Sequence, residues 1–108
     1  MTEDTITVIK NYINNDKKIR FIHYFSNYCD ESTKYLLQQG VDINTVNSDN
    51  ENALMYAAFY ENEKFCRYLI DLGINLNTKD IKGLTALDIA KQNGNKNIIS
   101  MIENAMEV

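Results

Sequence analysis

Apolar residues recur with helical spacing in the second half of the chain, and short polar segments separate them. Over residues 63–72 they lie at the i, i+3, i+4 and i+7 positions of one helix face: Phe65, Tyr68, Leu69 and Leu72. Gly73 follows, where a helix end favours a residue that tolerates the left-handed conformation. The pattern predicts a helix over 63–72, with shorter helices over 53–60 and 86–93. The polar segments 47–52 and 79–83 read as turns.

The same pattern recurs with a period of 33 residues. The sequence YLLQQGVDINT at 35–45 aligns with YLIDLGINLNT at 68–78, and ALMYA at 53–57 aligns with ALDIA at 86–90. Residues 20–24 fall in the same register and keep only their apolar character. Because neither short helix of a unit can bury its apolar stripe alone, we expect neighbouring units to stack.

A 33-residue unit of turn, helix and helix resembles the ankyrin repeat. The segment DIKGLTALDIA at 80–90 is similar to the family's D-x-x-G-x-T-P-L-H-x-A, with Ala86 in place of Pro and Asp88 in place of His. In the preceding unit Asn50 replaces the Gly and Asn52 the Thr. The segments 39–44 and 72–77 look like the family's L-x-x-G-A-D-V-N ending.

The resemblance implies an all-α fold, a helical solenoid of stacked helix-turn-helix units joined by short β-hairpin-like turns. It divides the single domain 1–108 into a capping helix at 4–14, a degenerate first repeat at 14–46, a second repeat at 47–79, and a third repeat with the C-terminal cap at 80–108. The capping helix is expected from Ile6, Ile9 and Ile13, which lie in helical register.

Composition narrows the class of protein. Seven Tyr and four Phe supply more apolar surface than a disordered segment carries, and the absence of Pro favours helices. Asn and Ile are unusually common, which we interpret as the mark of an AT-rich genome rather than of a function. No apolar stretch approaches the roughly 18 to 20 residues that span a bilayer, and the acidic N-terminal sequence differs from a signal peptide. We therefore expect a cytoplasmic protein without membrane contact.

The charge balance argues against nucleic acid as a partner. Fifteen acidic and 11 basic residues give a formal net charge of −4, and the basic residues form no cluster that would contact phosphates.

Catalytic and cofactor chemistry find no support in the residues. His23 is the only histidine, so there is no second imidazole for a metal site. The sequence also shows no Ser/His/Asp or Cys/His grouping for nucleophilic catalysis. The distant Cys29 and Cys66 are expected to be reduced packing residues. The paired carboxylates, Asp30 with Glu31 and Glu61 with Glu63, are interpreted as charges at helix starts, and the glycines form no phosphate-binding loop. We expect a protein that is not an enzyme and binds no cofactor or metal.

Binding residues follow from the resemblance, since the family grips partners with its first helices and projecting turns. These positions are Ser26, Asn27, Ser48, Asp49, Glu51, Phe59, Tyr60, Ile81, Lys82, Leu84, Gln92 and Asn93. Phe59 and Tyr60 are the expected anchors for a protein partner, because adjacent aromatic side chains are typical of interfaces.

Two alternatives stay open. Phe59 or Leu84 folds inward against the next unit, or the apolar residues meet another copy of the chain. A monomer is expected, with a homodimer as the alternative. The alternative to a protein-binding function is a structural or self-associating unit, or the C-terminal end of a longer ankyrin-repeat array.

Overall fold

A computed structural model describes residues 38, 40 and 42–107, and this part of the chain contains four α-helices and no β-strand. They are α1 (Ala53–Phe59), α2 (Glu63–Asp71), α3 (Ala86–Asn93) and α4 (Lys96–Met106). The all-α prediction is confirmed, with the bounds of α3 as predicted and α1 and α2 each ending one residue earlier. The predicted capping helix at 4–14 and most of the first repeat, with His23, Cys29 and the Asp30–Glu31 pair, lie outside the described residues.

The four helices form two layers. Helices α1 and α2 pack as one helix-turn-helix pair and α3 and α4 as the next, while α1 lies against α3 and α2 against α4. Alanines fill the first-helix layer: Ala53, Ala57, Ala58, Ala86 and Ala90 are all buried. Larger apolar side chains fill the second-helix layer: Phe65, Leu69, Ile98 and Ile102 are buried, as is Cys66. Leu54 and Met55 of α1 are buried as well, and the small alanines beside them let the two pairs stack closely.

Side-chain caps fix where each helix begins. Asn52, Asn62, Thr85 and Asn95 each accept a hydrogen bond from the backbone N–H three residues later. Asp88 completes a capping box on α3, since its carboxylate accepts from the Thr85 N–H at 3.0 Å. The backbone and hydroxyl hydrogen bonds from Thr85 hold the pKa of Asp88 below its ordinary value. The departures from the repeat motif therefore stabilise helix starts: Asn52 caps α1, and Asp88 completes the capping box that Thr85 begins on α3.

Of the two carboxylates predicted at the start of α2, only that of Glu63 lies in the helix. Glu63 lies in the first turn of α2, as expected, but the cap is Asn62. Glu61 precedes that cap with φ 55°, in the left-handed region. It belongs to the connection between α1 and α2, and its charge does not lie in the helix.

The turns between repeats are hairpin-like, as predicted. Asn47 and Asp80 occupy equivalent positions, and each side-chain oxygen accepts from the backbone N–H groups two and four residues later at 2.9–3.0 Å. The backbone N–H of Ile81 donates to the carbonyl of Asp49 at 3.0 Å. This hydrogen bond places the tips of the two turns side by side.

Asparagine side chains also join the repeats. Asn93 donates to the carbonyls of Ala58 and Phe59 at 3.0 and 3.2 Å. Asn95 and Asn97 donate to the carboxylates of Glu61 and Glu63 at 3.3 and 3.1 Å. The abundance of Asn, which the sequence analysis assigned to genome composition, therefore has a structural role in this part of the chain.

The longest of the four helices has 11 residues. Among the described residues, no helix has the length and apolar character needed to cross a bilayer.

Candidate functional site

A cavity of about 120 Å³ opens between α1 and α3. Its lining, which we call the aromatic groove, consists of Glu51, Met55, Tyr56, Phe59, Tyr60 and Ile89. The structure thus brings together three residues that the sequence analysis proposed for binding: Glu51, Phe59 and Tyr60. The sequence analysis missed Met55, Tyr56 and Ile89. The i, i+4 spacing of Tyr56 and Tyr60 and the 33-residue offset from Tyr56 to Ile89 could have indicated two of them.

Three aromatic rings form a connected cluster in the groove. The rings of Tyr56 and Tyr60 are nearly parallel, with an interplanar angle of 13° and centroids 6.5 Å apart. Phe59 meets Tyr60 at 89°, with centroids 5.1 Å apart. Phe59 is 61% exposed and Tyr60 53%, so Phe59 does not fold inward. Ring contacts of this geometry hold the side chains in place while leaving their surface open.

A hydrogen-bonded carboxylate closes one end of the groove. The Oε1 atom of Glu51 accepts from the Asn47 side-chain amide at 2.9 Å and from the Tyr56 hydroxyl at 3.2 Å. Asn47 is almost fully buried, and its amide also reaches the Tyr56 hydroxyl at 3.2 Å. Burial, and secondly the charge of Glu51, raise the pKa of Tyr56 to about 12. Tyr56 therefore stays protonated at neutral pH, and its hydroxyl donates a hydrogen bond to Glu51.

Of the turn-tip residues proposed for binding, Glu51 belongs to this lining and the others do not. Ser48, Asp49, Ile81 and Lys82 are exposed on the adjoining turns, with Ile81 the most exposed large apolar side chain at 69%. Leu84 is half-buried, so the inward alternative holds for it in part.

The proposed residues at the end of α3 divide into two kinds. Gln92 and Asn93 are both exposed, but the Asn93 amide is bound to the carbonyls of the preceding repeat. Ser26 and Asn27 lie outside the described residues.

The described residues contain no group of three or more His, Cys, Asp or Glu side chains placed to hold a metal ion. The groove is instead lined by aromatic and apolar side chains with one carboxylate. Such an arrangement can bind, by stacking and by charge.

Comparison with known proteins identifies the repeat. A sequence model of ankyrin repeats in three copies matches residues 8–107. A transient receptor potential cation channel subfamily A member 1 homolog of Caenorhabditis elegans is 38% identical over 68 residues, which are 63% of this chain and 6% of the channel. A BTB/POZ domain and ankyrin repeat-containing protein of Oryza sativa subsp. japonica is 36% identical over 100 residues, 91% of this chain and 15% of that protein.

An ankyrin repeat protein of Acanthamoeba polyphaga mimivirus is 36% identical over 72 residues, 67% of this chain and 43% of the viral protein. The chain thus spans less than half the length of each of these relatives. The match to the repeat model, in contrast, extends over nearly all of the chain, with the turns, caps and paired helices that the repeat requires. The chain belongs to the ankyrin-repeat family.

Proposed function

We propose that this chain is a non-catalytic module that binds a protein partner through the aromatic groove and the neighbouring turn tips. Ankyrin repeats are generally protein–protein interaction modules, and the family is typically non-catalytic. The observation that supports the proposal is the exposure of Phe59 and Tyr60 beside a cavity between the two first helices.

The energetics favour these two rings as anchors. Exposed aromatic side chains that are already held in one arrangement lose little conformational freedom when a partner covers them. Such side chains carry a large share of the binding free energy in many interfaces. Ile81 and Leu84 would extend the apolar surface, while Asp49, Glu51 and Lys82 would set the complementary charges.

Site-specific photo-crosslinking in a native cell extract tests the proposal. One crosslinking residue replaces Tyr60, and a control replaces Glu103, which is exposed on α4 in the other helix layer. The expected result is a protein captured from position 60 and not from position 103. Equal capture from both positions, or none from either, would contradict the proposal.

A binding measurement with the captured protein then tests the anchors. Phe59→Ala combined with Tyr60→Ala should weaken the affinity at least about 30-fold, as for a central hot spot worth about 2 kcal/mol. Arg67→Ala, which truncates an exposed residue of α2, is the matched control and should leave the affinity within about twofold. An unchanged affinity in the double variant would remove the anchor role.

Self-association is the second candidate function. Ile81 at 69%, Leu72 at 49% and Met106 at 46% exposure give further apolar surface for another copy of the chain or for neighbouring repeats of a longer array. Sedimentation equilibrium over a concentration series distinguishes the two. A mass that doubles in the micromolar range supports self-association, and a constant monomer mass contradicts it.

A further inference from the structure

The aromatic groove has one charged residue in its lining, and that residue is an acid. The rest of the lining consists of three aromatic rings, Met55 and Ile89, and none of the described basic residues takes part in it. We propose that this groove receives an arginine side chain of the partner polypeptide. The inference rests on the proposed function and specifies the chemistry of its ligand.

The state of Glu51 is the first reason. Its Oε1 atom accepts two hydrogen bonds, from Asn47 and Tyr56, but no residue of the described part of the chain donates to Oε2. Nor does any described Lys or Arg form an ion pair with this carboxylate. Both of these donors are neutral groups, which orient the carboxylate, and no cation in the described part of the chain compensates its charge. A partner that covers Glu51 must supply a donor, and preferably a cation, because a carboxylate covered without one is strongly destabilising.

The rings are the second reason, and they favour arginine over lysine. Tyr56 and Tyr60 differ in orientation by only 13°, so a flat cation that lies parallel to one ring is nearly parallel to the other. A guanidinium is planar, is weakly hydrated and stacks on aromatic faces, whereas an ammonium is a compact and strongly hydrated charge. The guanidinium fork can also donate two parallel hydrogen bonds to one carboxylate.

The apolar part of the lining accommodates the rest of the side chain. Met55 and Ile89 provide aliphatic surface for the three methylene groups of arginine. An acidic side chain would be repelled by Glu51, and an apolar one would cover the carboxylate without pairing it. Charge and shape together therefore select a long cationic side chain.

Peptide display with the full chain as bait tests the inference. A random peptide library is selected on the wild-type protein and counter-selected on the variant carrying Phe59→Ala and Tyr60→Ala. Binders that depend on the groove should be enriched in arginine at one position. In a synthetic copy of such a peptide, citrulline at that position keeps the shape and removes the charge, and we expect about tenfold weaker binding. Lysine at the same position should bind with intermediate affinity.

Variants of the protein test the same contact from the other side. Glu51→Gln retains an oxygen for the Asn47 hydrogen bond and should reduce affinity for the arginine peptide about tenfold while leaving affinity for the citrulline peptide unchanged. Glu103→Gln makes the same chemical change at an exposed residue of α4 outside the lining and should change either affinity less than twofold.

The peptide selection distinguishes a failure of the proposed function from a failure of the arginine inference. If no selected peptide depends on Phe59 and Tyr60, the proposed function of the groove is contradicted, and the arginine inference with it. If groove-dependent peptides are obtained but lack arginine, or tolerate citrulline without loss, the groove binds a polypeptide and the arginine inference alone is overturned.

Discussion

At the scale of single residues, the two repeats have different residues at equivalent positions where the backbone is in the left-handed conformation. Gly83 and Gly94 have φ values of 81° and 69° in the third repeat, and the positions 33 residues earlier are Asn50 at 59° and Glu61 at 55°. Asn is among the non-glycine residues that best tolerate the left-handed region, whereas Glu has no such tolerance. Glu61 therefore carries backbone strain that Gly94 avoids.

Replacing Glu61 by glycine should stabilise the protein. We expect Glu61→Gly to raise the free energy of unfolding by about 0.5–1 kcal/mol, because relief of the strained φ exceeds the added freedom of the unfolded chain. The exposed hydrogen bond from Asn95, at 3.3 Å, is a small loss. Urea denaturation followed by circular dichroism measures the change.

Asn50→Gly is the matched control for this prediction. Asn50 tolerates its φ and its amide donates to the Lys79 carbonyl, so its replacement should give no gain. Equal stabilisation by both changes would show that strain at Glu61 is not the cause.

At the scale of helices and turns, the sequence was sufficient to predict most of the architecture, because the 33-residue period and the apolar spacing are local signals. It predicted α3 without error and α1 and α2 to within one residue at their ends. The groove was harder to foresee, since Ile89 joins Tyr56 and Tyr60 only after two helices from different repeats have packed. The role of Tyr56 was hidden for a similar reason, because it depends on hydrogen bonds to Glu51 and Asn47 across a turn.

The end of α2 gives a prediction at this scale. Gly73 follows the C-cap residue Leu72 with φ 84°, and a Cβ atom built at Gly73 would meet no atom within 4 Å beyond its chain neighbours. The cost of substitution is therefore conformational rather than steric. Gly73→Val should lower the free energy of unfolding by about 1–2 kcal/mol, and Gly73→Asn by clearly less, because Asn accepts the left-handed conformation.

Thermal denaturation of the two Gly73 variants measures this difference. Equal melting temperatures for Gly73→Val and the parent would show that this helix does not end in the left-handed conformation. Equal losses for Val and Asn would show that the backbone preference is not what makes glycine necessary.

At the scale of the whole molecule, stability depends on contacts between repeats as well as on those within them. Asn93 links the end of α3 to the end of α1 through two carbonyls about one repeat away along the chain. We expect Asn93→Ala to lower the free energy of unfolding by about 1 kcal/mol, because it removes both hydrogen bonds between the repeats, while the Ala58 carbonyl keeps the backbone N–H of Glu61 as a donor. Urea denaturation again gives the value.

The neighbouring Gln92→Ala is the control, since Gln92 is equally on the exposed end of α3 but makes no such link in the described structure. It should change stability by less than about 0.5 kcal/mol. If the two variants behave alike, the link through Asn93 does not hold the repeats together.

The position of the aromatic groove across two repeats makes ligand binding and repeat stacking linked equilibria. Its lining is complete only while α1 and α3 remain packed, so a ligand that occupies it binds the stacked state alone. Such a ligand, present at 100 times its dissociation constant, adds about 2.7 kcal/mol to the stability of the stacked state. By the same reciprocity, any substitution that loosens the contact between the repeats weakens binding without touching the groove.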